Sequence, residues 1–254
     1  MQKYNMKFDF SEKTILVTGA TRGIGKQIAD DLFELGAKLI LTGTNKTEIS
    51  LLNSHAKKNN LNKVFFAVNF NNDNQTKNFI NSILKFTRID GLVNNAGINK
   101  LNSIDKVNDK DWSDMISVNL TAPFKILSAL SNKMIQNKYG RVVNISSIFG
   151  VISKEKRSVY STTKFGIHGL TVGASNDLSK HNILVNTVSP GFVLTDLTKK
   201  NLSKKEMIDL ENQIPIKRLA ETKDISSVII FLLSNLNSYL TGQNVVIDGG
   251  FTNV

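Results

Sequence analysis

Short apolar runs alternate with longer stretches of helical periodicity along almost the whole chain. Thr14 to Thr18, Lys38 to Thr42, Val64 to Val68, Ile89 to Val93, Arg141 to Ile145, Ile183 to Val188 and Val245 to Ile247 read as strands. Their continuous apolar, β-branched character suits strands buried on both faces. Ile24, Ile28, Leu32 and Leu35 recur at helical spacing, and Gly36 closes that helix. Thr76 to Phe86, Asp111 to Met134, Ser158 to Ser179 and Thr222 to Leu233 read as further helices. Strands and helices in alternation, with no linker rich in Pro, Gly or Ser, predict one α/β domain over residues 1–254. The expected core is a doubly wound, about seven-stranded parallel sheet with helices on both faces. Residues 1–6 read as a flexible lead-in, and the polar stretch 192–215 as a lid over the site.

Composition narrows the chemistry. The chain has 254 residues, 41% apolar and 21% charged, an ordinary globular balance. Nothing approaches the ~18 consecutive apolar residues of a membrane helix, and the start lacks the apolar core of a signal peptide. Cysteine is absent, which removes disulfides, thiol nucleophiles and thiolate metal sites. His55, His168 and His181 are scattered, so no metal is expected. The net charge of +11 comes from dispersed lysines without aromatic interleaving, which argues against nucleic acid and leaves an acidic partner open. A soluble cytoplasmic protein without a membrane partner is the expectation.

The first strand runs into Gly19-Ala20-Thr21-Arg22-Gly23-Ile24-Gly25 and then a helix. Strand, glycine turn and helix N-terminus together make an anion site, because glycines let the backbone approach a pyrophosphate that the helix N–H groups face. The spacing is Gly-x-x-x-Gly-x-Gly rather than the Gly-x-Gly-x-x-Gly of the commonest dinucleotide fingerprint. After the second strand comes Gly43-Thr44-Asn45-Lys46, with no acidic residue to take a ribose 2′-hydroxyl. Arg22, Thr44 and Lys46 suit a 2′-phosphate instead, so NADP(H) is expected in preference to NAD(H). Asn94-Asn95-Ala96-Gly97 follows the fourth strand, where ligands bind in open α/β sheets.

The fifth strand ends at Ser146-Ser147, and thirteen residues after Ser147 comes Tyr160, with Lys164 four further on. On a helix those two share one face. An ammonium beside a phenol favours the phenolate, and a serine at a strand end can hold a carbonyl oxygen. Such a set is a general acid/base with an electrophilic partner, as carbonyl reduction needs.

Taken together, Thr18 to Gly25, Asn94-Asn95-Ala96-Gly97, Asn119, Ser147, Tyr160-x-x-x-Lys164 and Pro190-Gly191 resemble the short-chain dehydrogenase/reductase family, from about Lys7 to Val254. The bacterial 3-oxoacyl-[acyl-carrier-protein] reductase branch is the most similar, through Asn69, Pro190 to Asp196 and Arg218-Leu219. That resemblance implies a Rossmann-type fold and NADPH-dependent reduction of a carbonyl in fatty-acid synthesis. A sugar, polyol or other small secondary alcohol is the alternative substrate, and a catalytically silent nucleotide-binding protein the remote one. It also implies Tyr160 as catalytic acid, Lys164 lowering its pKa and holding the nicotinamide ribose, and Ser147 polarising the carbonyl. Asn119 would position a water that relays protons to Lys164. Gly19, Thr21, Arg22, Gly23, Ile24 and Gly25 would cradle the pyrophosphate and 2′-phosphate, with Thr44. Asn69 and Phe70 would flank the adenine, while Asn95, Ala96 and Gly97 line the cleft. Pro190, Gly191, Val193 and Thr195 would face the nicotinamide. Lys138 and His181 correspond to basic residues that the branch uses at the cleft mouth for acyl carrier protein, and a homotetramer is the implied assembly.

Overall fold

Strand β1 (Thr14–Val17) lies mid-sheet because it is apolar on both sides: Ile15 and Val17 enter one hydrophobic core and Leu16 the other. The structure, a computed structural model, describes residues 7–253. The lead-in therefore lies outside the described residues. The remaining strands are β2 (Lys38–Gly43), β3 (Lys63–Ala67), β4 (Gly91–Asn94), β5 (Gly140–Ile145), β6 (Ile183–Pro190) and β7 (Asn244–Ile247). All seven pair in parallel, in the order β3-β2-β1-β4-β5-β6-β7. The chain winds outward from β1 to β3, then returns to β4 on the other side of β1. That reversal opens a crevice at the carboxyl ends of β1 and β4.

The helices are α1 (Gly23–Glu34), α2 (Lys46–Lys58), α3 (Asp73–Ile83), α4 (Asp109–Ile116), α5 (Ala122–Gln136), α6 (Ser158–Leu178), α7 (Asp196–Asn201), α8 (Lys204–Gln213) and α9 (Thr222–Leu233). One core joins Ile28 and Leu32 of α1 to Ile225 and Ile229 of α9. The other joins Phe79 and Ile83 of α3, Ile126 and Leu130 of α5, and Leu178 of α6. Burying each such side chain contributes about 1.5–3 kcal/mol, so the two layers hold the sheet between them.

The expected strands are all present, with ends moved by a few residues at most. The expected helix Asp111 to Met134 is not continuous. It is α4 and α5 joined through a π turn at Ser117–Thr121 that contains Asn119. Pro123 supplies the reason, since it has no N–H to offer the carbonyl four residues earlier, that of Asn119. The stretch 192–215 carries α7 and α8, called the flap below. It is held at its base where Val193 pairs with Ala220 and where Leu194 N–H donates to the Ala220 carbonyl at 2.7 Å.

Candidate active site

The glycine turn after β1 is locked from beneath by the segment after β4. Asn95 Nδ2 donates to the carbonyls of Thr18 (2.9 Å) and Gly19 (3.0 Å). The Thr18 hydroxyl accepts from the N–H groups of Asn95 and Ala96, both at 3.0 Å. Gly19 and Gly23 have φ of +64° and +57°, a region where side chains strain the backbone. A Cβ on Gly25 would stand 2.2 Å from the Gly19 carbonyl oxygen and 2.4 Å from Asn95 Nδ2. Gly23 instead faces Thr195 across the cleft, 3.6 Å from where its Cβ would be. Asn95 is thus a brace under the turn. Both of its amide protons are committed to backbone carbonyls.

At the end of β2, Thr21 packs against Gly43, and Thr44 and Lys46 are exposed. Arg22 is exposed at the N-cap of α1 and makes no side-chain cap bond. Asn45 is occupied locally, accepting from Thr47 N–H and Glu48 N–H at the start of α2. After β3, Asn69 is exposed and accepts from Asn71 N–H at 3.1 Å. Phe70 turns inward and meets Phe79 edge-on at 6.0 Å. Its ring belongs to the core, which leaves its backbone to face the end of the strand.

The two serines after β5 have different duties. Ser146 Oγ donates to the Lys164 carbonyl at 2.8 Å and ties the strand end to α6. Ser147 caps the next turn by accepting from Phe149 N–H at 3.2 Å, which leaves its own proton to point at Tyr160. Tyr160 lies close by on α6. Burial pushes the Tyr160 phenol above its ordinary value of about 10, while the Ser147 hydroxyl and the charge of Arg157 oppose that rise.

Lys164 is 4% exposed, and its Nζ donates to the Ile145 carbonyl at 2.8 Å. Burial pulls its amine down to about 8. It stands 5.6 Å from the centre of the Tyr160 ring. The ammonium is thus engaged by the end of β5, and burial is the largest influence on the phenol.

Asn119 is buried in the π turn. Its Oδ1 accepts from Ile98 N–H (2.9 Å), while Nδ2 donates to the Ile98 carbonyl (2.9 Å) and Thr163 Oγ1 (3.1 Å). Its amide protons are both committed to protein, leaving a second lone pair on Oδ1. A Cβ on Gly97 would come 3.5 Å from that oxygen and 3.7 Å from Lys164 Nζ, so both atoms border the same spot beside Gly97.

On the far side of the cleft, Pro190 ends β6, and Gly191 N–H donates to the Ile247 carbonyl at 2.8 Å. Val193 is buried in the core, and Thr195 caps α7 by accepting from Thr198 N–H. Phe149 meets Tyr160 at 6.5 Å and Phe192 at 6.4 Å, and Phe192 meets Phe251 at 5.1 Å, all edge-on. These rings wall the tyrosine. Arg157 lies over the Phe149 ring at 4.8 Å, a feature the motif spacing does not flag.

Lys138 and His181 lie away from this cluster. They precede β5 and β6, and the Lys138 carbonyl accepts from Asn182 Nδ2 at 3.0 Å. Within one subunit that is the opposite end of the sheet from Ser147 and Tyr160, because the strands are parallel.

Comparison with known proteins agrees with this arrangement. Residues 13–206 match the family model described as short chain dehydrogenase. The 3-oxoacyl-[acyl-carrier-protein] reductase FabG of Rickettsia typhi is 37% identical over 95% of this chain and 98% of its own length. Its counterpart in Aquifex aeolicus is 35% identical over 96% and 99%. Among solved structures, a gluconate 5-dehydrogenase from Burkholderia cenocepacia in complex with NADP and tartrate is similar at a TM-score of 0.89. It is 26% identical over 97% of this chain and 98% of its own. The match over most of the sheet, with the glycine turn and the Ser147, Tyr160 and Lys164 cluster at its carboxyl edge, shows that the chain belongs to the short-chain dehydrogenase family.

Proposed function

We propose that this protein uses NADPH to reduce the ketone of a 3-oxoacyl thioester to the 3-hydroxyacyl thioester, in fatty-acid synthesis. The observation that carries the reading is the Ser147–Tyr160 pair: a strand-end hydroxyl directed at a buried phenol, in a chain whose similar relatives are named 3-oxoacyl-[acyl-carrier-protein] reductases. Tyr160, kept protonated by burial, donates its proton to the ketone oxygen as charge develops there. Ser147 donates to the same oxygen and fixes its position.

The cradle fits a dinucleotide, since Gly23 leaves open backbone facing Thr195 and no side chain fits at Gly19 or Gly25. Gly19, Gly23, Ile24 and Gly25 would hold the pyrophosphate; Arg22, with Thr21 and Thr44 nearby, would take the 2′-phosphate. Ala96, Gly97, Pro190, Gly191, Val193 and Thr195 would line the remainder, mostly with backbone. Bound there, NADPH supplies the hydride that the carbonyl carbon receives. Lys164 retains two donors for the nicotinamide ribose, and the spot shared by Lys164 and Asn119 Oδ1 suits a water that returns a proton. Helices α7 and α8 would cover the substrate.

The protein works, on this reading, as a cytoplasmic homotetramer without nucleic-acid or membrane partners. Support comes from exposed apolar side chains on α5 and α6, Phe124, Phe165 and Val172, beside Gly169 and Gly173, over which nothing packs. Among the described residues no helix is long and apolar enough to cross a membrane. The acidic acyl carrier protein remains an attractive partner for a chain of net charge +11. A second reading, oxidation of a sugar acid or polyol, is favoured by the similarity in fold to gluconate dehydrogenases. NADPH oxidation with an acetoacetyl thioester, run beside NADH and gluconate with NADP, separates these. Turnover of the thioester with NADPH supports the first reading. Turnover confined to gluconate, or a preference for NADH, would sink it.

A further inference from the structure

Arg157 stands at the start of α6, three residues before Tyr160, and its guanidinium lies 4.8 Å over the ring of Phe149. The same ring meets Tyr160 edge-on, so one aromatic wall holds the cation and the phenol on the same side of the cleft. Arg157 as a whole is half-buried. Among the described residues it has neither a carboxylate partner nor a hydrogen-bond acceptor, and neighbouring Glu155 faces Lys156 instead. Burial works against the Arg157 charge, and the nearby Tyr160 works for it. Desolvating a cation that has five donors and no acceptor is costly unless a ligand supplies the oxygen. Aromatic contact covers one face of the guanidinium and leaves its edge, where the N–H groups lie, for that oxygen.

Resting on the 3-oxoacyl reading above, we propose that Arg157 is a substrate-binding residue that donates to the thioester carbonyl oxygen while Ser147 and Tyr160 hold the ketone oxygen. The two oxygens of a 3-oxoacyl thioester lie on carbons separated by a single methylene. Adjacent but distinct donors therefore match it, whereas a plain secondary alcohol or ketone offers nothing to Arg157. The residue would then select for substrates with a second oxygen function beside the reacting carbonyl.

The test pairs an enzyme change with a substrate change. Wild type, Arg157→Ala and Arg157→Lys are assayed with NADPH on an acetoacetyl thioester and on the matched thioether in which the thioester carbonyl is a methylene. NADPH affinity, read by fluorescence titration, reports folding and should be unchanged in every variant. Arg157→Ala is expected to lower kcat/KM on the thioester about 10- to 100-fold, mainly through KM, and on the thioether less than about 3-fold. Arg157→Lys should recover part of the loss. Equal losses on both substrates, or none, overturn the assignment of Arg157 while leaving the 3-oxoacyl reading intact. A wild-type enzyme that ignores the thioester overturns that reading, and this one with it.

Discussion

The glycine turn and the flap of α7 and α8 border the same cleft and are held by opposite means. The turn is tied through residues remote in sequence: Asn95 grips the carbonyls of Thr18 and Gly19, and Gly25 has no space for even a methyl group. Helix α8 has no buried residue, and its first turn is secured only locally, by the reciprocal bonds of Ser203 and Glu206. A cofactor common to a whole family is best met by a rigid, preorganised backbone. On the reading proposed above, the substrate would be met by a cover attached at its base and free to vary above it.

That contrast can be broken at its centre or at its edge. The largest effect is expected from Tyr160→Phe, which removes the proton donor: turnover should fall about 10²- to 10⁴-fold while NADPH still binds. Near wild-type turnover in that variant would refute the acid assignment. Raising the pH comes next. Lys164, pulled to about 8, is charged below that pH and neutral above it, so reduction should decline on the alkaline side as the ammonium is lost. A kcat profile flat across that range would show that the lysine's charge is not needed.

Gly25→Ala should cost about 1–3 kcal/mol, because overpacking there has only backbone and the Asn95 amide to push against. Thermal melting would read the loss, and NADPH affinity should fall with it. Asn119→Ala leaves the Ile98 N–H and carbonyl without their partner, a loss of about 1–3 kcal/mol. An unchanged Tm would mean that the loop after β4 re-pairs elsewhere. The smallest global effect belongs to Ser203→Ala. Losing that cap costs α8 about 1 kcal/mol, which should appear as faster amide exchange in 204–213 with the global melt unmoved. A global shift comparable to that of Gly25→Ala would erase the distinction between the two regions.

Arg157 and Asn119 show how far the motifs reach. Helical spacing puts Tyr160 and Lys164 on one face by local geometry, and the family resemblance adds Ser147 to them. The resemblance also prefers Ser147 to Ser146, and in the structure Ser146 is committed to the Lys164 carbonyl. The π turn at Asn119 was legible in principle from Pro123, four residues on. The partner of its amide was not, since Ile98 lies 21 residues away.

The amino-acid order by itself determined the alternation of strands and helices, the glycine turn and the set of reactive side chains. Each of these follows from periodicity, backbone freedom or spacing within a few residues, where local sterics decide. Tertiary structure alone decided which polar groups were already committed. It made Asn95 a brace, turned Phe70 into the core, and drew Lys164 to the end of β5. It set Lys138 and His181 at the amino ends of β5 and β6 and left Arg157 over Phe149 without an acceptor among the described residues. Those outcomes depend on contacts between distant segments, and burial sets their weight: a donor or a charge withdrawn from water must find its partner in whatever the fold brings near.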